Sequence, residues 1–91
     1  MQSCQPLVTA SPFEVYRIIS RPFYENTYVV LQSKSKDCLI VDPGFEPDAV
    51  IQFVNEHQLV PIAIVLTHGH SDHIAGVASI KQQWPSAPVL I

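Results

Sequence analysis

Basic residues are scarce in this chain: Arg17, Arg21, Lys34, Lys36 and Lys81 stand against eight Asp and Glu, for a formal net charge of −3 over 91 residues. They are scattered, so no basic face is available to track nucleic acid or an anionic membrane surface, and neither is expected as a partner. Cysteine is equally sparse. Cys4 and Cys38 sit at no zinc-ligand or redox-motif spacing, and two unrelated free thiols are expected. No apolar run approaches the roughly 18 to 20 residues that span a bilayer, and the opening MQSCQPLVTASPFEV has neither a basic nor an apolar signal region. A cytoplasmic location follows as the expectation. Charged residues make up 14% of the chain and hydrophobic ones 47%, which is the composition of a core-forming domain and not of a disordered segment. At this length one small domain is possible, burying roughly two thirds of its unfolded surface.

The pattern along the chain is that of an α/β protein. Residues 1–12 read as a polar leader. Residues 13–19, FEVYRII, alternate as a half-buried strand, with Phe13, Val15 and Arg17 on one face and Glu14, Tyr16 and Ile18 on the other. Tyr28 to Leu31 reads as a second strand, and the polar turn SKSKD joins it to Cys38–Val41 as a hairpin. Asp42, Pro43 and Gly44 end that strand. Pro47 and Asp48 then place a proline and a carboxylate where a helix begins, and Val50, Phe53, Val54 and His57 give it an apolar stripe over residues 47–57. His57 suits the helix C-terminus, where its charge complements the dipole. VPIAIVL, Val60 to Leu66, predicts a strand covered on both faces. Ile74, Val77, Ala78 and Lys81 keep helical spacing until Trp84, and Pro85 stops the helix. Tyr28 and Trp84 are expected to be core or layer-packing aromatics. A last strand begins at Pro88 and runs to Ile91, so the chain is expected to be the N-terminal part of a larger fold.

Three of the four histidines fall between His68 and His73, in LTHGHSDHIAG. His68 and His70 are two apart, so an extended backbone leaving the strand projects both imidazoles to one side. Asp72 continues that series, and His73 turns away with the helix. The spacing therefore offers ligands to two neighbouring metal ions. Imidazole and carboxylate are the donors expected for catalytic Zn²⁺, with Fe²⁺ or Mn²⁺ as alternatives, whereas a cysteine-free set argues against a structural zinc. A bound cation of this kind brings the pKa of water from 15.7 to about 7 and so supplies hydroxide near neutral pH. Asp72 could orient that water. Gly69 leaves room between the imidazoles, and Ser71 is placed to cap the helix. Ligands in open α/β sheets gather beyond the C-terminal ends of the strands, where this cluster lies.

The stretch from Thr67 to Gly76 resembles the signature of the metallo-β-lactamase superfamily, and Val41-Asp42-Pro43-Gly44 resembles that family's second hallmark. Glu25-Asn26-Thr27-Tyr28 and Ala87-Pro88-Val89 are similar to the glyoxalase II-like branch, the hydroxyacylglutathione hydrolases and their relatives. The resemblance implies that residues 13–91 are the N-terminal half of a four-layer αβ/βα sandwich with a dinuclear metal site, occupied by two Zn²⁺ in a complete domain. It further implies that His68 and His70 bind the first metal and Asp72 and His73 the second, while Asp42 holds the surrounding loops by hydrogen bonds. The family's remaining ligands, a histidine for each metal and a bridging aspartate, are not in this chain, since no histidine follows His73 and no acidic residue follows Asp72. The implied activity is hydrolysis of a small-molecule thioester or ester. Two alternatives are a mononuclear iron dioxygenase acting on a glutathione persulfide, which shares the fold and motif, and an inactive truncated product.

Overall fold

The computed structural model describes residues 3–8, 13–20, 25–32, 34–44, 47–67 and 71–90, of which 3–8, 20, 25 and 71–75 are described by their backbone alone. Six strands form one mixed sheet in sequential order: β1 (Ser3–Val8), β2 (Phe13–Ser20), β3 (Glu25–Gln32), β4 (Asp37–Val41), β5 (Val60–Val65) and β6 (Val89–Leu90). Helix α1 (Asp48–Glu56) joins β4 to β5, and α2 (Ser71–Gln83) joins β5 to β6. Strands β1 to β4 are antiparallel, whereas β5 and β6 run parallel to β4. The two parallel pairings are those with a helical crossover, as parallel neighbours require.

The predicted hairpin is present as β3 and β4, with Val29 opposite Ile40 and Leu31 opposite Cys38. Lys34, at φ 74°, takes the left-handed position in its turn. Residues 3–8, part of the segment read as a polar leader, pair with β2 as an edge strand. Their pattern gives no period-2 signal, and Pro6 is tolerated because an edge strand leaves one row of backbone groups without a ladder partner.

Both helices cover the same face of the sheet. Ile18, Val29, Cys38, Ile40 and Ile64 point into the core from successive strands and meet Val50, Phe53 and Val54 of α1 and Ile80 of α2. Trp84 packs against this cluster, as expected for a core aromatic. α1 begins one residue after Pro47, whose carbonyl accepts the first helical hydrogen bond from Ile51 N at 3.0 Å. At its other end His57 is the C-cap, its Nδ1 2.9 Å from Phe53 O, and its ring stacks on Phe53 with centroids 4.2 Å apart. α2 is tied down beyond its end by Lys81, whose ammonium donates to the carbonyls of Pro85 and Ala87 at 2.8 and 2.7 Å.

β5 departs from the expectation of cover on both faces. Pro61, Ala63 and Ile64 are buried, but Val60 and Ile62 are 51% and 50% exposed. The register shift between Cys38 and Leu39 pairs them with Pro61 and Ala63, leaving Ile62 as the extra residue of a bulge. Pro61 therefore sits at the strand's beginning and beside an irregularity, where a missing N–H is tolerated. Ile62 lines an apolar hollow of about 220 Å³ with Phe13, Val30 and Leu39 on the side of the sheet away from the helices. Among the described residues no helix is long and apolar enough to cross a membrane.

Candidate metal centre

One rim of the sheet collects the residues of interest. β4 and β5 are parallel, so their C-terminal ends lie at this rim, and β3, antiparallel to β4, begins there. Thr27, Asp42 and Thr67 thus become neighbours despite separations of 15 and 25 residues along the chain.

Asp42 stands at the centre of this rim. Its backbone N–H donates to Val65 O at 2.9 Å, extending the β4–β5 ladder by one bond beyond the last paired residue of β4. It then turns at φ 54°, a left-handed conformation that Asp tolerates better than most residues because its short polar side chain bonds locally. The turn directs the carboxylate across to β5. Oδ1 accepts the Thr67 N–H at 2.8 Å, and Oδ2 accepts the Thr67 hydroxyl at 2.5 Å. From the other side the Thr27 hydroxyl donates to Asp42 O at 2.9 Å. Asp42 is only 6% exposed and Thr27 not at all, so these polar groups have little water to fall back on and their mutual bonds are obligatory.

Asp42-Pro43-Gly44 also receives the second helix. Gly76 of α2 comes so close that a Cβ built on it would overlap the Gly44 carbonyl oxygen and lie 3.0 Å from the Pro43 oxygen. Pro43 and Gly44 are themselves buried. The same three-residue turn therefore holds Thr67, the residue before His68, and supports α2 one helical turn beyond Asp72 and His73.

Of the expected ligands, His68 and His70 lie outside the described residues. Asp72 and His73 lie in the first turn of α2, described by their backbone alone, as is Ser71 at the helix start. Among the described residues no group of three His, Cys, Asp or Glu side chains converges. His57 faces away from this rim, at the C-terminal end of α1. Cys38 is a free, buried thiol at the opposite end of β4, and burial, with a smaller contribution from Asp37, pushes its pKa up from 9.0 to about 12. It stays a neutral core residue and not a thiolate ligand.

Sequence reasoning singled out Asp42 but assigned nothing to Thr67, Thr27 or Gly76. Thr67 and Thr27 are small hydroxyl residues amid apolar strand ends, and the buried hydroxyl of Thr27 requires a partner. Gly76 interrupts an otherwise helical pattern, where glycine costs about 1 kcal/mol against alanine and so signals a close approach.

Residues 20–91 match the family model of the metallo-beta-lactamase superfamily. The hydroxyacylglutathione hydrolase of Yersinia pestis (strain Pestoides F) is 42% identical over 73 residues, which is 79% of this chain and 29% of that protein. Its counterpart in Yersinia enterocolitica is 41% identical over the same shares. The chain thus spans under a third of the length of these relatives. Among solved structures, the BLEG-1 B3 metallo-beta-lactamase superposes with a TM-score of 0.74 at 39% identity, over 82% of this chain and 35% of that one. ETHE1 from Myxococcus xanthus superposes with a TM-score of 0.67 at 22% identity, over 79% and 32%, a likeness of fold alone. With the family model covering residues 20–91, from the end of β2 to the last residue, this chain belongs to the metallo-beta-lactamase superfamily.

Proposed function

We propose that this chain carries the first part of the active centre of a metal-dependent hydrolase that cleaves a thioester or ester of a small acyl donor. The observation that carries the reading is the clamp of Asp42 on Thr67, which anchors the backbone at the C-terminal end of β5 immediately ahead of His68-Gly69-His70-Ser71-Asp72-His73. The donors that follow are three imidazoles and a carboxylate, with the nearest described cysteine locked in the core as a thiol. This set fits a catalytic divalent cation, Zn²⁺ by preference and two per complete domain, with Fe²⁺ or Mn²⁺ as alternatives.

In this reading His68 and His70 hold one ion and Asp72 and His73 its neighbour. Such ions, when bound, acidify water and polarise a carbonyl oxygen. The chain's own contribution is to fix where the donors stand. Asp42, buried and doubly bonded to Thr67, keeps the β5 end from fraying toward solvent. Asp72 would also accept a hydrogen bond from the attacking water and orient it. The names of the relatives support a glutathione thioester as the substrate class.

The test is made on the full-length protein that contains this chain. Elemental analysis is expected to find divalent metal, two Zn²⁺ per chain, and the protein is expected to hydrolyse a hydroxyacyl thioester of glutathione. His70→Ala should lower kcat/KM by a factor of at least about 10² while leaving the fold intact. Full retention of hydrolysis in that variant overturns the assignment, and one iron per chain with consumption of oxygen would replace it by a dioxygenase.

A further inference from the structure

We propose that Thr27 and Gly76 are positioning residues that gauge the strand-borne and helix-borne halves of the metal centre against one shared turn, Asp42-Pro43-Gly44; this rests on the functional reading above and adds to it. The two pairs of donors belong to different elements. His68 and His70 follow β5, whereas Asp72 and His73 belong to the first turn of α2. A contact that both elements share would fix the distance between the strand end and the helix start.

The turn after β4 touches both. On the strand side the Asp42 carboxylate takes both the N–H and the hydroxyl of Thr67. The direction of that carboxylate depends on the left-handed backbone at φ 54°. Thr27 secures this conformation by donating its fully buried hydroxyl to Asp42 O at 2.9 Å. On the helix side Gly76 rests against the oxygens of Gly44 and Pro43. Its spacing from Asp72 and His73, four and three residues, puts it one turn further along the same side of the helix. The atoms a methyl group would strike are backbone, which cannot rotate away as a flexible side chain would. α2 would have to withdraw by at least about 1.3 Å from the Gly44 oxygen before a Cβ found ordinary contact at 3.4 Å in a close-packed interior. A ligand constellation tolerates displacements of only about 0.5 Å. Thr27 and Gly76 touch neither metal nor substrate in this scheme. They act through Asp42 and through the seat of α2.

The test uses Zn²⁺ itself, titrated into the metal-stripped full-length protein against a chelating indicator, with the visible bands of Co²⁺ as a second readout of ligand geometry. Thr27→Val, which keeps shape and removes the hydroxyl, is expected to weaken Zn²⁺ binding by about tenfold, the lower end of the effect of removing a group bonded directly to a metal ligand, since Thr27 acts through Asp42 and Thr67. Thr27→Ser, which restores the hydroxyl, is expected to return the wild-type affinity. Gly76→Ala is expected to weaken binding by a similar factor and to alter the Co²⁺ spectrum. Val54→Ala, a deletion in the α1 side of the core, should lower stability while leaving affinity and spectrum unchanged. If Gly76→Ala does not fold, the Thr27 pair decides the matter alone. Unchanged Zn²⁺ binding in Thr27→Val, or equal weakening in Val54→Ala, overturns the positioning role and leaves the hydrolase reading intact. A wild-type protein that binds no Zn²⁺ and no Co²⁺ overturns both.

Discussion

Replacing Asp42 separates three contributions that its structure combines. The carboxylate accepts two hydrogen bonds from Thr67, and the backbone stands at φ 54° in a site only 6% exposed. Each bond to the carboxylate is worth about 1.5–3 kcal/mol, and its donor on the exposed Thr67 can turn to water once the acceptor is gone. A left-handed backbone costs an alanine about 1–2 kcal/mol more than a glycine. Asp42→Ala is therefore expected to lose about 4–6 kcal/mol, a large share of the roughly 5–14 kcal/mol that a chain of this length holds in total. Asp42→Gly loses the same bonds but not the backbone preference, and should be about 1 kcal/mol more stable than the alanine variant. Asp42→Asn keeps one acceptor oxygen and tolerates the left-handed turn, so its loss should be about 1–2 kcal/mol. Urea unfolding followed by circular dichroism measures all three, since midpoint shifts convert to free energy through a common slope. The expected order is Asn, Gly, Ala from most to least stable. An alanine variant within about 1 kcal/mol of wild type, or one more stable than the glycine variant, would refute it.

Cys38 gives a pH dependence with a definite sign. Its folded pKa is raised from 9.0 to about 12, so above pH 9 the unfolded thiol sheds a proton that the folded one keeps. The thiol's contribution is complete below pH 9 and is lost across the window from 9 to 12, at up to about 1.4 kcal/mol per pH unit. Subtracting the stability curve of Cys38→Ala from that of wild type isolates this slope, and parallel curves would contradict it. Gln58, at φ 55° just after the α1 C-cap, has its N–H on Asn55 O at 3.1 Å while Leu59 N–H reaches Val54 O at 2.9 Å. Gln58→Gly should relieve the backbone there and raise the melting temperature by a few degrees, equivalent to about 0.5–1 kcal/mol, and an unchanged or lowered value in calorimetry would count against it.

Much of this architecture was legible from local signals. The 3.6-residue stripe of Val50, Phe53 and Val54, with Pro47 ahead of it, marks α1 to within a residue. The turn residues between Gln32 and Cys38 mark a hairpin, and β3 and β4 form it. The parts that were not legible depend on partners remote in sequence. β1 has no alternation because an edge strand needs only one neighbour, and nothing in SCQPLV announces β2. The exposure of Ile62 depends on which face of the sheet the helices cover, a property of the whole fold and not of the strand's own sequence. The rim follows the same rule. The histidine and aspartate residues of the motif are conspicuous because their side chains are chemically rare here. Thr27, Thr67 and Gly76 are ordinary residues whose importance lies in what stands 15, 25 or some 30 positions away.

The change of strand direction at β4 gives the sheet two unlike ends. Thr27, Asp42 and Thr67 occupy one, while the turn at Lys34 and the turn at Gln58 occupy the other, a strand length of about 17 Å distant. The far end carries polar, exposed residues in short turns, the kind of place where inserted residues are accommodated most readily. A peptide epitope or a fluorescent reporter spliced between Lys34 and Lys36 would therefore sit where the chain can lengthen freely, with the whole depth of the sheet between it and the residues that precede His68.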